Sequence, residues 1–402
     1  MRKILIACQC ASNKGDRAIA EYLIAQLKKE SDIEITLSTT DPTLWCSLSE
    51  QGVKVIGTGY RTFSQKTKNS FLIRVLRNID KILYDVFIFP NLIKKDGKHK
   101  FCNRISKKFI EEVKSSDVVI VTGGHHITSI RNKNALFSIT YDIGLISLYA
   151  KKYILWSQTI GPLDFSDERA KIFIGNIIKN AEKVYIRDEN SLKCIEDIYG
   201  NSDNLVKSYD SVFGFGNKSF PQYADRKQKV GVAIFNGLKK AFDTYDVLAQ
   251  MLDRYASLGY DIEFFRMEYD HKEESDIRSV ISKMKVKGNV SVFAFTSSTI
   301  DHLNEVASCK LFVGYKTHSI IMALTTGTPL IAIAYHQKSI DFMKSYGLDD
   351  YAILDEELTI EKVLALMDKL SENAESIHLL QKESSYALAE QIQNDFMREM
   401  DI

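Results

Sequence analysis

The stretch Lys310 to His336, KLFVGYKTHSIIMALTTGTPLIAIAYH, constrains this chain more than any other. A short apolar run, Leu311 to Val313, breaks at Gly314, and apolar residues then recur at helical spacing through Ile320, Ile321, Ala323 and Leu324. Gly327 stops the helix, Pro329 forbids its continuation, and Leu330 to Ala334 predicts a second buried strand. That is a βαβ unit of a parallel sheet, and its polar residues gather in the first turn of the helix: Tyr315, Lys316, Thr317, His318 and Ser319. In open parallel sheets ligands bind at the carboxyl ends of the strands. A helix starting there turns backbone N–H groups and a partial positive charge toward the ligand. Lys316 and His318 add a cation and a proton-transfer group. The plainer alternative is a solvated lysine beside a histidine with a local hydrogen bond.

The length of 402 residues predicts two domains. Hydrophobic content of 45% with 26% charged residues is that of a water-soluble globular chain, and a net charge of +1 gives no general drive toward nucleic acid. No apolar run approaches the roughly 20 residues needed to span a bilayer. The N-terminal MRKILIACQC lacks a long apolar core and a small-residue cleavage site, so it predicts a first buried strand and a cytoplasmic protein. Six cysteines without a CxxC pair predict neither a disulfide framework nor a zinc site.

After the first strand, Lys3 to Cys8, the loop from Ala11 to Asp16 leads into a helix over Ala18 to Leu27. The turn has one glycine and neither of the common phosphate-loop spacings. Asn13 and Asp16 either cap this helix or hold an acceptor hydroxyl. Asp117 to Thr122 predicts a strongly buried strand ending in Gly123-Gly124-His125-His126. Glycines there let backbone approach a ligand, which the two histidines could touch; no carboxylate or thiolate nearby completes a metal set. Tyr153 to Trp156 predicts a strand running into Ser157-Gln158-Thr159-Ile160-Gly161-Pro162. Lys183 to Asp188 is another, placing Arg187 at the crevice edge, where it either clamps an anion or pairs with Asp188 or Glu189.

Residues 61–109 hold thirteen Lys or Arg against the three acids Asp80, Asp85 and Asp96, an asymmetry the near-neutral whole does not share. Phe71, Leu72, Val75, Leu76, Ile79, Ile82, Leu83, Val86 and Phe87 recur within it at helical spacing. A basic amphipathic helix of this kind either packs on its own domain or lies on an anionic membrane, each nearby cation contributing about 1 kcal/mol.

Residues 214–229 are rich in Gly, Pro and charge and read as a linker, after which a second α/β series begins. Helices are expected over Ile360 to Leu370 and Ala374 to Met400, the last long enough to cross back onto the first domain. The expected fold is α/β, with two Rossmann-like domains facing a cleft, in the manner of glycosyltransferase-B enzymes. Its parts are 1–222 with the basic insertion 61–109 on the acceptor side, 223–373 with the donor anion site, and 374–402 as the C-terminal helix.

Several motifs then line up in order: Asn13-x-Gly15-Asp16-x-Ala18, Thr122-Gly123-Gly124, Gln158-Thr159-Ile160-Gly161-Pro162, Arg187-Asp188-x-x-Ser191, Asp210-x-Val212-Phe213, and Gly314-x-Lys316-Thr317-His318-Ser319 with Gly327-x-Pro329 and Lys338. This ordered set resembles the polysaccharide pyruvyl transferase family from residue 4 to about 348. The family's usual Arg-Leu-His is Lys316-Thr317-His318 here, which keeps the charge and loses the bidentate fork. The resemblance implies an enzyme that transfers a pyruvyl group from phosphoenolpyruvate to two hydroxyls of one sugar, giving a cyclic ketal in exopolysaccharide or capsule biosynthesis. It implies no metal and no cofactor beyond phosphoenolpyruvate as co-substrate. His318 and Asp16 are then the expected catalytic residues, and Arg187, Lys316, Thr317 and Ser319 the donor contacts. Asn13, His125, His126 and Gln158 are the acceptor contacts. The expected partners are phosphoenolpyruvate and a sugar or lipid-linked acceptor, with peripheral contact at the inner face of the plasma membrane through residues 61–109. The alternatives are a glycosyltransferase of the same architecture using a nucleotide sugar, and a non-catalytic binding protein of polysaccharide assembly.

Overall fold

The computed structural model describes residues 1–10, 12–59, 70–84, 86, 89–90, 106–129, 140–234, 241–286, 288–295, 298–334 and 337–401. Most of the basic stretch, 61–69 and 91–105, therefore lies outside the described residues. The chain forms two compact units. One comprises Met1–Ala11 with Ile19–Asp210, the other Ser12–Ala18 with Ser211–Ile402.

The first unit is built on a parallel sheet of β1 (Arg2–Gln9), β2 (Ile33–Thr39), β3 (Lys54–Gly57), β4 (Val118–Val121), β5 (Gly124–Ile127), β6 (Tyr153–Ile160), β7 (Lys183–Ile186) and β8 (Leu205–Lys207). Its order is β3-β2-β1-β4-β6-β7-β8, with β5 pairing β6 off that path. β4 is Val-Val-Ile-Val, buried at every position, as a strand covered on both faces must be. β6 runs four residues past the Trp156 end expected from its apolar run. It can do so because its polar side chains find partners. Ser157 Oγ donates to Tyr209 O at 3.1 Å and Thr159 Oγ1 to Asp188 Oδ2 at 2.8 Å. Gln158 Nε2 donates to Val121 O and Thr122 O, both at 3.0 Å.

The helices of this unit used below are α1 (Lys14–Leu27), whose first turn groups with the second unit, α2 (Cys46–Glu50), α3 (Ser70–Leu83), α4 (Lys107–Ser115), α5 (Thr140–Tyr149), α6 (Glu168–Asn180) and α7 (Glu189–Tyr199). Asp188 caps α7, accepting from Ser191 N at 2.9 Å.

The second unit carries a parallel sheet in the order β11-β10-β9-β12-β13-β14. Its strands are β9 (Lys227–Ala233), β10 (Asp261–Phe265), β11 (Val290–Phe293), β12 (Cys309–Gly314), β13 (Leu330–Ala334) and β14 (Ala352–Leu354). Its helices are α8 (Ala241–Ser257), α9 (His271–Lys283), α10 (Thr299–Ser308), α11 (Thr317–Thr325), α12 (Gln337–Ser345) and α13 (Ile360–Met400). α11 buries Ile320, Ile321, Met322, Ala323 and Leu324 completely, so it is a core helix apolar all round. Each large apolar side chain among them adds roughly 1.5–3 kcal/mol. Where two terminal helices are expected, the structure has one of 41 residues. The polar residues that suggest a break instead bond back along the helix, Ser371 Oγ to Met367 O and Asn373 Nδ2 to Lys369 O, each at 2.8 Å.

Residues 214–229 lie within the second unit. Arg226 anchors them: its buried guanidinium donates to Ala307 O (2.7 Å), Cys309 O (3.2 Å), Thr328 Oγ1 (2.6 Å) and Thr326 O (2.7 Å). Those carbonyls sit at the C-termini of α10 and α11, where the helix dipoles are negative, so the cation is matched by dipoles. Arg226→Ala is expected to cost roughly 3–5 kcal/mol, because several buried acceptors lose their donor at about 1–3 kcal/mol each. Urea unfolding measures this, and an unchanged midpoint contradicts it.

Candidate functional site

In the second unit the site grows from the end of β12. Tyr315 N donates to Ala233 O at 3.0 Å, holding the turn against β9, and α11 begins after Lys316 without a side-chain cap. Ser319 Oγ donates to Lys316 O at 2.7 Å, and Thr317 Oγ1 shares a hydrogen bond with Ser339 Oγ at 3.1 Å. His318 stands half-buried between them in the first turn.

Lys316 is committed. Its ammonium donates to Glu273 Oε1 at 3.1 Å and lies 3.1 Å from Glu268 Oε1. Glu273, in the first turn of α9, is fully buried and also accepts from Met267 N (3.1 Å) and Glu268 N (2.9 Å). Burial pushes the Glu273 carboxyl above its ordinary value, against the pull of Lys316. The lysine thus ties the β12–α11 turn to the start of α9, and its charge is met by two carboxylates.

Against this turn packs Ser12–Ala18, a segment the sequence placed on the acceptor side of the first domain. Lys14 N donates to Met267 O at 2.9 Å, Tyr269 N to Ser12 O at 2.9 Å, and Asn13 forms an antiparallel bridge with Glu268. Asn13 Oδ1 accepts from Gly15 N (2.9 Å) and Asp16 N (3.1 Å), capping α1, which therefore starts four residues earlier than its apolar periodicity suggests. Gly15 lies directly on His318: a Cβ at residue 15 would fall 2.1 Å from the imidazole Cγ and Nδ1. Only glycine permits this approach. Asn13, Asp16, Lys316, Thr317, His318 and Ser319 are thus brought together, with the first turns of α1 and α11 meeting at His318. Both turns present the positive end of a helix dipole, an arrangement that favours anions.

Behind the turn, buried Lys14 lies 5.7 Å from the Phe295 ring centroid. His302 is fully buried against Phe265 (5.2 Å) and Phe293 (5.7 Å), with no hydrogen bond to either ring nitrogen. Burial, and then the charge of Lys14, push its pKa well below the usual histidine value.

The first unit holds the remaining expected residues at the carboxyl ends of β4, β6 and β7. Cys8 (φ 70°) and Ser157 (φ 55°) occupy left-handed conformations unusual for side-chain-bearing residues, each at a register shift of its strand. Gly123 fits beside Ser157 because a Cβ there would meet Ser157 O at 2.1 Å. His125 and His126 belong to β5, so their side chains leave on opposite faces. His125 is exposed and its Nε2 donates to Gly161 O at 2.6 Å, whereas His126 is half-buried. Gln158 is fully buried, its amide nitrogen spent on backbone carbonyls and its Oε1 without a hydrogen-bond partner.

Arg187 pairs neither with Asp188 nor with Glu189. Its Nη1 donates to Asp210, and Nε donates to Thr159 Oγ1 at 2.8 Å. Asp210 is itself fully buried. The network Asp210–Arg187–Thr159–Asp188–Ser191 clamps the ends of β6 and β7 and the cap of α7. In the sequence Asp210 stands out only within Asp210-x-Val212-Phe213; a carboxylate beside Val212 and Phe213 signals burial and hence a cationic partner. Among the described residues no group of three or more His, Cys, Asp or Glu is gathered as a metal site requires.

Two parallel α/β units of this topology define a protein of glycosyltransferase-B-like fold. Solved structures across the whole chain agree on that fold. A UDP-N-acetylglucosamine 2-epimerase from Listeria monocytogenes matches with a TM-score of 0.60 at 10% identity, covering 99% of this chain and 96% of that one. HepE of Anabaena, solved with UDP-glucose, matches with a TM-score of 0.58 at 10% identity over 100% of both chains. The sequence is more specific. It belongs to the polysaccharide pyruvyl transferase family, whose model matches residues 13–337. The amylovoran biosynthesis protein AmsJ of Erwinia amylovora is 22% identical over 407 residues, covering 94% of each chain.

The buried His302 sets a pH dependence. Its folded pKa lies below the unfolded value of about 6.5, so below that pH the unfolded chain binds a proton the fold excludes. Stability then falls with falling pH by up to about 1.4 kcal/mol per unit. His302→Phe is expected to shallow this acid limb in urea unfolding between about pH 5 and 7; an unchanged slope contradicts it.

Proposed function

We propose that this protein transfers the pyruvyl group of phosphoenolpyruvate to two hydroxyls of one sugar residue in a polysaccharide or lipid-linked precursor. In this reaction one hydroxyl oxygen bonds to the enol carbon and the methylene carbon gains a proton to become methyl. The second hydroxyl then closes the ketal as the carbon–oxygen bond to phosphate breaks and phosphate leaves. The balance needs no cofactor beyond the co-substrate.

The observation that carries this reading is His318 in the first turn of α11, with the start of α1 pressed against it at Gly15. A donor with two anionic groups is served by paired helix N-termini. An imidazole beside them suits the proton that must reach the methylene carbon. Asp16, one residue beyond Gly15, is the partner we assign for an acceptor hydroxyl. Lys316 is read as a positioning residue, because Glu268 and Glu273 already engage its ammonium. Arg187, held by Asp210 and Thr159, is likewise read as organising the first unit's strand ends, where His125 and His126 are the acceptor contacts we assign. Membership of the pyruvyl transferase family supports the reaction class.

A second reading, transfer from a nucleotide sugar, draws on the fold, since HepE was solved with UDP-glucose. The test is phosphate release from phosphoenolpyruvate across free and lipid-linked galactosides, mannosides and glucosides. His318→Ala is expected to lower turnover at least about 100-fold. Gly15→Ala, which drives a methyl into the imidazole, is expected to lower it similarly while both variants remain folded. Wild-type turnover in His318→Ala contradicts the assignment.

A further inference from the structure

Glu273 is the third residue of α9 and is fully buried. A buried carboxylate is costly unless its oxygens are bonded, and both of these are. Oε1 accepts from Met267 N and from Lys316 Nζ, each at 3.1 Å. Oε2 accepts from Met267 N at 3.1 Å and from Glu268 N at 2.9 Å. The start of α9 is secured separately, by Asp270, whose side chain accepts from Lys272 N at 2.9 Å.

The groups that Glu273 holds lie on the two sides of His318. On one side, the loop whose amides it binds carries the start of α1. Met267 O accepts from Lys14 N and Tyr269 N donates to Ser12 O, both at 2.9 Å, and Gly15 follows against the imidazole. On the other side, Lys316 opens α11. Its carbonyl accepts from Ser319 N at 2.9 Å and Ile320 N at 3.1 Å, closing the turn that contains His318. One carboxylate therefore ties the segment pressed on the ring to the turn that bears the ring.

We propose that Glu273 is a positioning residue for His318, its two oxygens setting the approach of Gly15 and so the orientation of the imidazole. Glutamine offers one acceptor oxygen where Glu273 uses two. Glu273→Gln must give up either the tie to Lys316 or the bond from Glu268 N. Glu268→Gln removes a charge at the same 3.1 Å from Lys316 without touching the loop's amides. The consequence for turnover rests on the proposed role of His318; the consequence for the ring does not.

The experiment is NMR of the full chain with labelled histidine rings, in which the His318 signal is the one of eight that His318→Ala removes. Glu273→Gln is expected to move that signal by more than its linewidth, and Glu268→Gln to move it less. In turnover of phosphoenolpyruvate, Glu273→Gln is expected to cost at least about ten-fold alone and less than about two-fold beside His318→Ala. A structural loss unrelated to His318 would be the same in both backgrounds. Glu273→Asp, which draws the carboxylate back by one carbon, takes the place of Glu273→Gln if that variant does not fold. The proposal is overturned by an unmoved His318 signal, by equal shifts in the Glu273 and Glu268 variants, or by equal costs in the two backgrounds. Wild-type turnover in His318→Ala would end the reaction assignment and leave the His318 signal to decide the role of Glu273.

Discussion

The approach of Gly15 to the imidazole of His318 is the contact on which the site depends. It requires a residue without a side chain at the start of α1, and it sets two helix N-termini side by side at the carboxyl end of a parallel sheet. The bonds from Lys14 N to Met267 O and from Tyr269 N to Ser12 O fix that approach through backbone, leaving it independent of any flexible side chain. Dipoles fixed in this way need no reorganisation when charge arrives, which is how preorganised sites stabilise anions.

The two side-chain cations that look most available for a dianionic donor are both engaged elsewhere. Lys316 stands between Glu268 and Glu273, and Arg187 is paired with Asp210 in a buried network. Removing one partner from such a buried pair typically costs about 3–5 kcal/mol, so these groups hold the shape of the strand ends. Lysine in place of the family's usual arginine fits that duty: a point charge can serve two carboxylates without needing a planar fork.

Much of this was legible in the sequence because buried parallel strands write themselves as apolar runs. β4 (Val118–Val121) falls within the strand predicted over Asp117 to Thr122, and β13 coincides with the predicted Leu330 to Ala334. The polar end of β6 was not legible, since Ser157, Gln158 and Thr159 are tolerated there only by partners on β4, β7 and the segments after them. The three-residue edge strands β8 and β14 are too short to carry a period. The site residues could be chosen by type and position, whereas their partners could not. Asp210 lies nowhere near Arg187 in local sequence, and Glu268 and Glu273 lie far from Lys316. The attachment of Ser12–Ala18 to the second unit arises from contacts between distant segments, which periodicity does not encode.

The central claim, an anion site at the joined starts of α1 and α11, is tested most directly by calorimetric titration of the full chain with phosphoenolpyruvate and, separately, with UDP-glucose. The account predicts saturable binding of phosphoenolpyruvate that Gly15→Ala abolishes, and no binding of UDP-glucose. Binding of UDP-glucose with none of phosphoenolpyruvate would contradict it.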